Sequence, residues 1–210
     1  MHIAEGILPL STLAGGAVVA AAGTAVGLRK LDDENIIQTA VLTSALFVAS
    51  LIHVPVGPVP VHLVLNGLAG IILGWAIFPA YLTALLMQSL FFGYGGITTL
   101  GVNTVIMATP GLLCYYAFGR TLQEGSPRRA FAAGLLSGAL AISVSCAMLC
   151  AVLMTAGREF FAVATAVFAA HLPVAAVEAS VTASIASFLA RVRPETFRAA
   201  PELKLDHVPE

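Results

Sequence analysis

Met1 and His2 together carry three nitrogens that one metal ion could hold: the Met1 α-amine, the His2 backbone amide nitrogen and Nδ1 of the His2 imidazole. Binding all three closes a five-membered and then a six-membered chelate ring without moving any other stretch of chain. A deprotonated amide nitrogen favours a tetragonal or square-planar ion, which points to Ni(II) or Cu(II) ahead of Zn(II) or Mg(II). One corner of the square is left for a fourth ligand. The chelate needs a free amine, and Met1 is expected to be retained, because a second residue as bulky as histidine blocks removal of an initiator methionine. On residue types alone, a plain interfacial role for His2 stays open.

The elements that must position these groups are apolar helices. Of 210 residues, 59% are hydrophobic and 10% charged, with a mean hydropathy of +0.94, against about 25% charged residues in a soluble domain. This excludes an ordinary water-soluble enzyme. Hydrophobic runs between breakers predict about seven spans, at roughly 8–28, 36–53, 61–78, 80–92, 103–118, 130–156 and 162–190. The fourth is short and ends at Gly93-Tyr94-Gly95-Gly96, a place for a tilt, a break or a re-entrant turn. Arg29 and Lys30 follow the first span, Arg120, Arg128 and Arg129 the fifth, and Arg191, Arg193, Arg198 and Lys204 the last; only Arg158 falls on the other side. Cations stay cytoplasmic, so the expected fold is an all-α integral membrane bundle with its N-terminus outside and its C-terminus inside. The expected localisation is the inner (plasma) membrane. Residues 1–193 form the membrane domain and 194–210 a polar cytoplasmic tail. No cation precedes Arg29, so no cleaved signal is expected.

This topology gathers His2, His53 and His62 on the outer side. His62, at the start of the third span, is positioned to complete the square. His53 is a candidate ligand or, more in keeping with its place at a span end, a partner for a ligand's second ring nitrogen. Asn66 and Asn103 could make similar contacts, and Glu5 could offset the cation's charge. His171 and Glu178, seven residues apart on one helix, could form a buried polar pair. Every ligand must be neutral or deprotonated to bind, so affinity is expected to fall as pH drops through the imidazole range.

Other chemistries find little support. The net charge of −1 gives no field for nucleic acid. Cys114, Cys146 and Cys150 lie in apolar stretches and read as packing thiols. Neither His-Glu-x-x-His nor a phosphate-binding Gly-x-x-x-x-Gly-Lys-Ser/Thr occurs, so the chain has no ATP site of its own and no zinc-protease motif. No nucleophile–base pair stands out, and an enzyme is not expected.

Three stretches resemble the CbiM/NikM family, the substrate-capture components of energy-coupling-factor transporters for cobalt and nickel: Met1-His2-Ile3-Ala4-Glu5-Gly6-Ile7-Leu8-Pro9, Pro60-Val61-His62-Leu63-Val64-Leu65-Asn66-Gly67-Leu68, and Gly95-Gly96-Ile97-Thr98-Thr99-Leu100-Gly101-Val102-Asn103-Thr104. The similarity runs over about residues 1–190. It implies metal ligation by the Met1 amine, the His2 amide and imidazole nitrogens, and His62, the same set that chelation and topology single out. It also implies Ni2+ or Co2+ as transported substrate. The implied partners are a membrane coupling subunit, two cytoplasmic ATPase subunits and, in some systems, a small auxiliary membrane subunit. This sequence departs from the family pattern in having Pro58-Val59-Pro60-Val61 before the histidine and Tyr94 where an acidic residue is common. The competing readings are a capture subunit for an organic vitamin and a stand-alone metal channel or secondary transporter. For the latter, no internal repeat is visible.

Overall fold

Proline ends helical structure after the second apolar run. Residues 53–62 read His-Val-Pro-Val-Gly-Pro-Val-Pro-Val-His; the prolines remove amide donors and clash with a preceding helical turn, while the valines favour extended backbone. The computed structural model describes residues 2–56, 59–123 and 126–197, with side chains described for all of these except 34, 53–61 and 159. Here it forms an antiparallel hairpin, β1 (His53–Val56) and β2 (Val59–His62), in which His53 pairs with His62 and Pro55 with Pro60. Facing prolines fit a non-hydrogen-bonded pair, where neither residue must donate to the other. The sequence reading of helix up to residue 53 and again from 61 is thereby corrected.

The rest is helical: α1 (Leu10–Arg29), α2 (Asp33–Ala49), α3 (Asn66–Leu73), α4 (Ile77–Phe92), α5 (Leu100–Gln123), α6 (Pro127–Met154) and α7 (Phe161–Val192). Five stretches are long and apolar enough to cross a membrane: α1, the run Asn66–Phe92, α5, α6 and α7; the apolar part of α2, Asn35–Ala49, is shorter. Large apolar side chains such as Leu10, Ile37, Val41, Tyr116, Phe168 and Phe188 point outward, as a multi-pass membrane protein requires and a soluble one avoids.

The run Asn66–Phe92 is not one straight rod. Gly74 has φ +53°, and a 3-10 turn, Gly74–Ala76, follows it. Trp75 donates its indole N–H to the Tyr116 hydroxyl (2.8 Å), and Lys30 lies 5.9 Å above its ring, so the turn sits beside the end of α1. Gln88, near the end of α4, lines the same cavity as His62, which precedes α3. Thus α3 runs away from His62 and α4 returns toward it. The two spans expected at 61–78 and 80–92 become a short helix and a longer one, broken at a glycine whose left-handed backbone an L side chain resists.

The remaining contacts fix the other directions. The start of α1 meets the end of α6 where the Thr12 and Thr155 hydroxyls lie 3.1 Å apart. Gln38, early in α2, donates to the Thr196 carbonyl (3.2 Å). Arg29, Lys30, Arg120, Arg128, Arg129, Arg191 and Arg193 therefore share one end of the bundle, and Arg158 lies at the other, with the N-terminal segment. Residues 194–197, where the polar tail was expected to begin, form a 3-10 turn whose Phe197 is buried with Leu122, Ala130 and Ala190. Residues 198–210 lie outside the described residues.

A polar chain crosses the apolar interior. Pro110 inside α5 has no N–H for the Ile106 carbonyl. The Ser145 hydroxyl donates to that carbonyl (3.0 Å) and accepts from Asn66 Nδ2 (2.7 Å). The helix defect is thus satisfied by neighbouring helices, as the hydrocarbon demands.

Candidate metal centre

The N-terminal segment lies against the loop that links α4 to α5 and the first turn of α5, and Asn103 and Thr98 hold it there. Asn103, at the start of α5, accepts from Ile3 N–H (3.0 Å) and donates from Nδ2 to the Ile3 carbonyl (3.1 Å). Its amide pairs with residue 3 as a neighbouring strand would, and it also donates to the Thr99 hydroxyl (3.3 Å). Ile3 and Asn103 are each only 2% exposed, so water does not compete for these bonds. Two residues on, Glu5 accepts from the Thr98 backbone N–H (3.0 Å) and hydroxyl (3.3 Å). The backbone N–H of Thr98 above all holds the Glu5 carboxyl below its ordinary 4.5. Gly96, at φ +149°, lets the loop pass against the Glu5 side chain, where a β-carbon would collide with it.

With residue 3 clamped, His2 has little freedom. Its ring lies 4.8 Å from that of His62, centre to centre, with the planes 18° apart, and 6.2 Å from that of Tyr94 on a plane 15° away. His62 is buried, at the end of β2. Its Nδ1 is 3.0 Å from the Leu63 carbonyl. A ring nitrogen facing a carbonyl carries the proton, so the lone pair of the neutral ring resides on Nε2. The chain then passes Val64, whose carbonyl accepts from the Tyr81 hydroxyl (2.7 Å), and Leu65, held at φ +57°, before α3 begins. Ser50, Tyr81, Gln88 and Met107 line a small cavity beside His62.

The fold therefore brings His2 and His62 together from positions 60 residues apart, and Asn103 and Glu5 fasten the segment that carries His2. Asn66 sits elsewhere: Nδ2 donates to Ser145 and Met107 in the polar crossing. The backbone of His53 stands opposite that of His62 in the hairpin, while its side chain and all of Met1 lie outside the described residues. His171 and Glu178 make separate bonds: His171 Nδ1 is 2.7 Å from the Val167 carbonyl, and Glu178 reaches the backbone of Val64 and Leu65. Sequence reasoning quoted Thr98 only inside a family-like stretch, without a role, and missed Tyr81 and Gln88, since a hydroxyl or amide in an apolar helix has no signature until its partner is known. Tyr94 was visible only as a departure from a family pattern. Among the described residues no three His, Cys, Asp or Glu side chains converge.

A family model described as the cobalt uptake substrate-specific transmembrane region matches residues 2–196. A "putative metal transport protein" of Haemophilus influenzae is 41% identical, over 93% of this chain and 96% of its own. A "fused nickel transport protein" of Rhodobacter capsulatus is 34% identical, over 98% of this chain and 67% of its own. A crystal structure of a truncated transition metal transporter superposes with a TM-score of 0.76 at 24% identity, covering 91% of this chain and 99% of that one.

Proposed function

The chain belongs to the CbiM family, the cobalt uptake substrate-specific transmembrane regions, and on that premise we propose that it captures Ni2+ or Co2+ from outside the cell through the Met1 amine, the His2 amide nitrogen, the His2 imidazole and His62. The carrying observation is the His2–His62 ring pair. An imidazole bound at about 2.0–2.1 Å has its ring centre roughly 3.2 Å from the ion, so two such rings lie about 4.5 Å apart at adjacent corners of a square and about 6.4 Å apart at opposite corners. The separation of 4.8 Å puts the two rings within reach of one ion at adjacent corners, and the near-parallel planes, 18° apart, must turn for both in-plane lone pairs to meet it. Adjacency is what the chelate requires, because amine, amide and imidazole occupy three consecutive corners and the vacant corner neighbours the imidazole. His53 stands outside this set, as a partner to a ligand's second ring nitrogen.

The seven-pass path and its sidedness belong to the same proposal. The end rich in Arg and Lys faces the cytoplasm, which leaves the metal centre on the outer side. The chain carries no nucleotide-binding motif, so an ATPase-driven module acts on it: a membrane coupling subunit with two cytoplasmic ATPases, and in some assemblies a small auxiliary membrane subunit. That module reorients the captured ion for release inward.

The test is Ni(II) titration of protein with its native N-terminus beside a version whose terminal amine is acetylated, and beside H62A. Acetylation keeps both imidazoles but removes the amine as a donor. Both changes should weaken binding by at least about tenfold. Unchanged affinity in the acetylated protein would remove the chelate, and with it the assignment.

A further inference from the structure

Glu178 has no part in the ligand set, yet it is fully buried in α7, where an ionisable side chain is costly without a purpose. Its contacts are to the main chain of the segment that follows His62. Oε1 accepts from the Val64 and Leu65 N–H groups, and Oε2 lies 3.0 Å from the same Leu65 nitrogen. These residues are more than 110 positions away in sequence. They include Leu65, which among the described residues is the one non-glycine with positive φ, a conformation that persists only where surroundings enforce it. From the other side, the Tyr81 hydroxyl donates to the Val64 carbonyl. The four residues from His62 to Leu65 are thus held by side chains of α4 and α7, and the His62 ring is held within them by the Leu63 carbonyl.

We infer that Glu178 is a positioning residue for metal capture: it suspends the His62 loop from α7, fixing the fourth ligand against the N-terminal chelate. This rests on the ligand reading above. It also gives α7 a direct mechanical connection to the metal centre, since a shift of that helix against α3 draws the loop with it.

A double-mutant cycle tests the inference, using the full chain with a native N-terminus in detergent and Ni(II) as probe. E178L should lower affinity by about tenfold or more, the range seen when groups that orient ligands are removed, and should shift the Ni(II) absorption band toward that of H62A. In the H62A background the same change should cost nothing beyond about twofold, because a residue that acts only through His62 has nothing left to orient. E178Q keeps one acceptor oxygen and should bind within about threefold of the unmodified protein, which provides the measurement if E178L does not fold. Wild-type affinity in E178L, an equal loss with and without His62, or a loss in E178Q as large as in H62A would each overturn the inference. If H62A itself binds like the unmodified protein, the ligand assignment falls first; if H62A is weakened and E178L is not, only the role of Glu178 falls.

Discussion

Replacing Asn103 by alanine isolates the contribution of the N-terminal clamp, because the side chain lies behind residue 3 and supplies no proposed ligand. The change removes the acceptor for Ile3 N–H and the donor for the Ile3 carbonyl, bonds of 3.0 and 3.1 Å. Both backbone groups belong to a residue that is 2% exposed, so neither finds water without the segment lifting off. A buried group left without a partner costs about 1–3 kcal/mol; for two groups, with partial relief by movement, about 3 kcal/mol is expected. The segment then spends most of its time detached, and metal must first re-dock it. Apparent affinity is the intrinsic affinity multiplied by the docked fraction, so 3 kcal/mol corresponds to roughly a hundredfold weakening. Competition against a chelator of known Ni(II) affinity measures this. N103D sharpens the result: it keeps an acceptor for Ile3 N–H but sets a carboxylate oxygen against the Ile3 carbonyl, and should bind no better than N103A. If N103A binds within about threefold of the unmodified protein, the segment is held by something other than this amide and the reasoning fails.

G96A should cost about 1–3 kcal/mol of loop stability, since φ is +149° and a β-carbon there meets the Glu5 side chain; thermal unfolding and Ni(II) affinity should fall together, and an unchanged pair would contradict the geometry. The Glu5 contact has a defined pH response. Its carboxyl is held below 4.5, so its contribution is complete above that value and is lost as pH falls through the lower value of the folded state. Protection of the Thr98 amide from exchange, relative to the free-chain rate at each pH, should be lost only below about pH 4.5, and should be weakened at neutral pH in E5Q. On the exposed face of α1, Ala21→Leu with Ala22→Leu should weaken assembly with a membrane coupling subunit while leaving Ni(II) binding intact; co-purification from membranes reads this out, and undiminished assembly would move the docking surface elsewhere.

What the sequence could determine was whatever covalent geometry or bulk transfer energy decides. Met1 and His2 are adjacent, so their capacity to chelate follows from bond lengths and needs no fold. An apolar composition places the chain in a membrane whatever its helices do. The Arg and Lys positions already sorted the helix ends, and in the structure seven of them share one end. Tertiary structure decided what depends on groups without a sequence signature. The apolar residues from 66 to 92 read as two spans parting near residue 79, and the break falls instead at Gly74, because hydropathy is blind to a single dihedral. The prolines of residues 53–62 are plain in the sequence, but their hairpin pairing is not. Asn66 and Asn103 looked alike as candidates; one braces Ser145, which fills the hole left by Pro110, and the other grips residue 3, a difference set by which groups came within reach. Glu178 could be marked as a costly buried acid, yet its partners are backbone N–H groups, which every residue except proline possesses. Only folding selects which of them a carboxylate will meet.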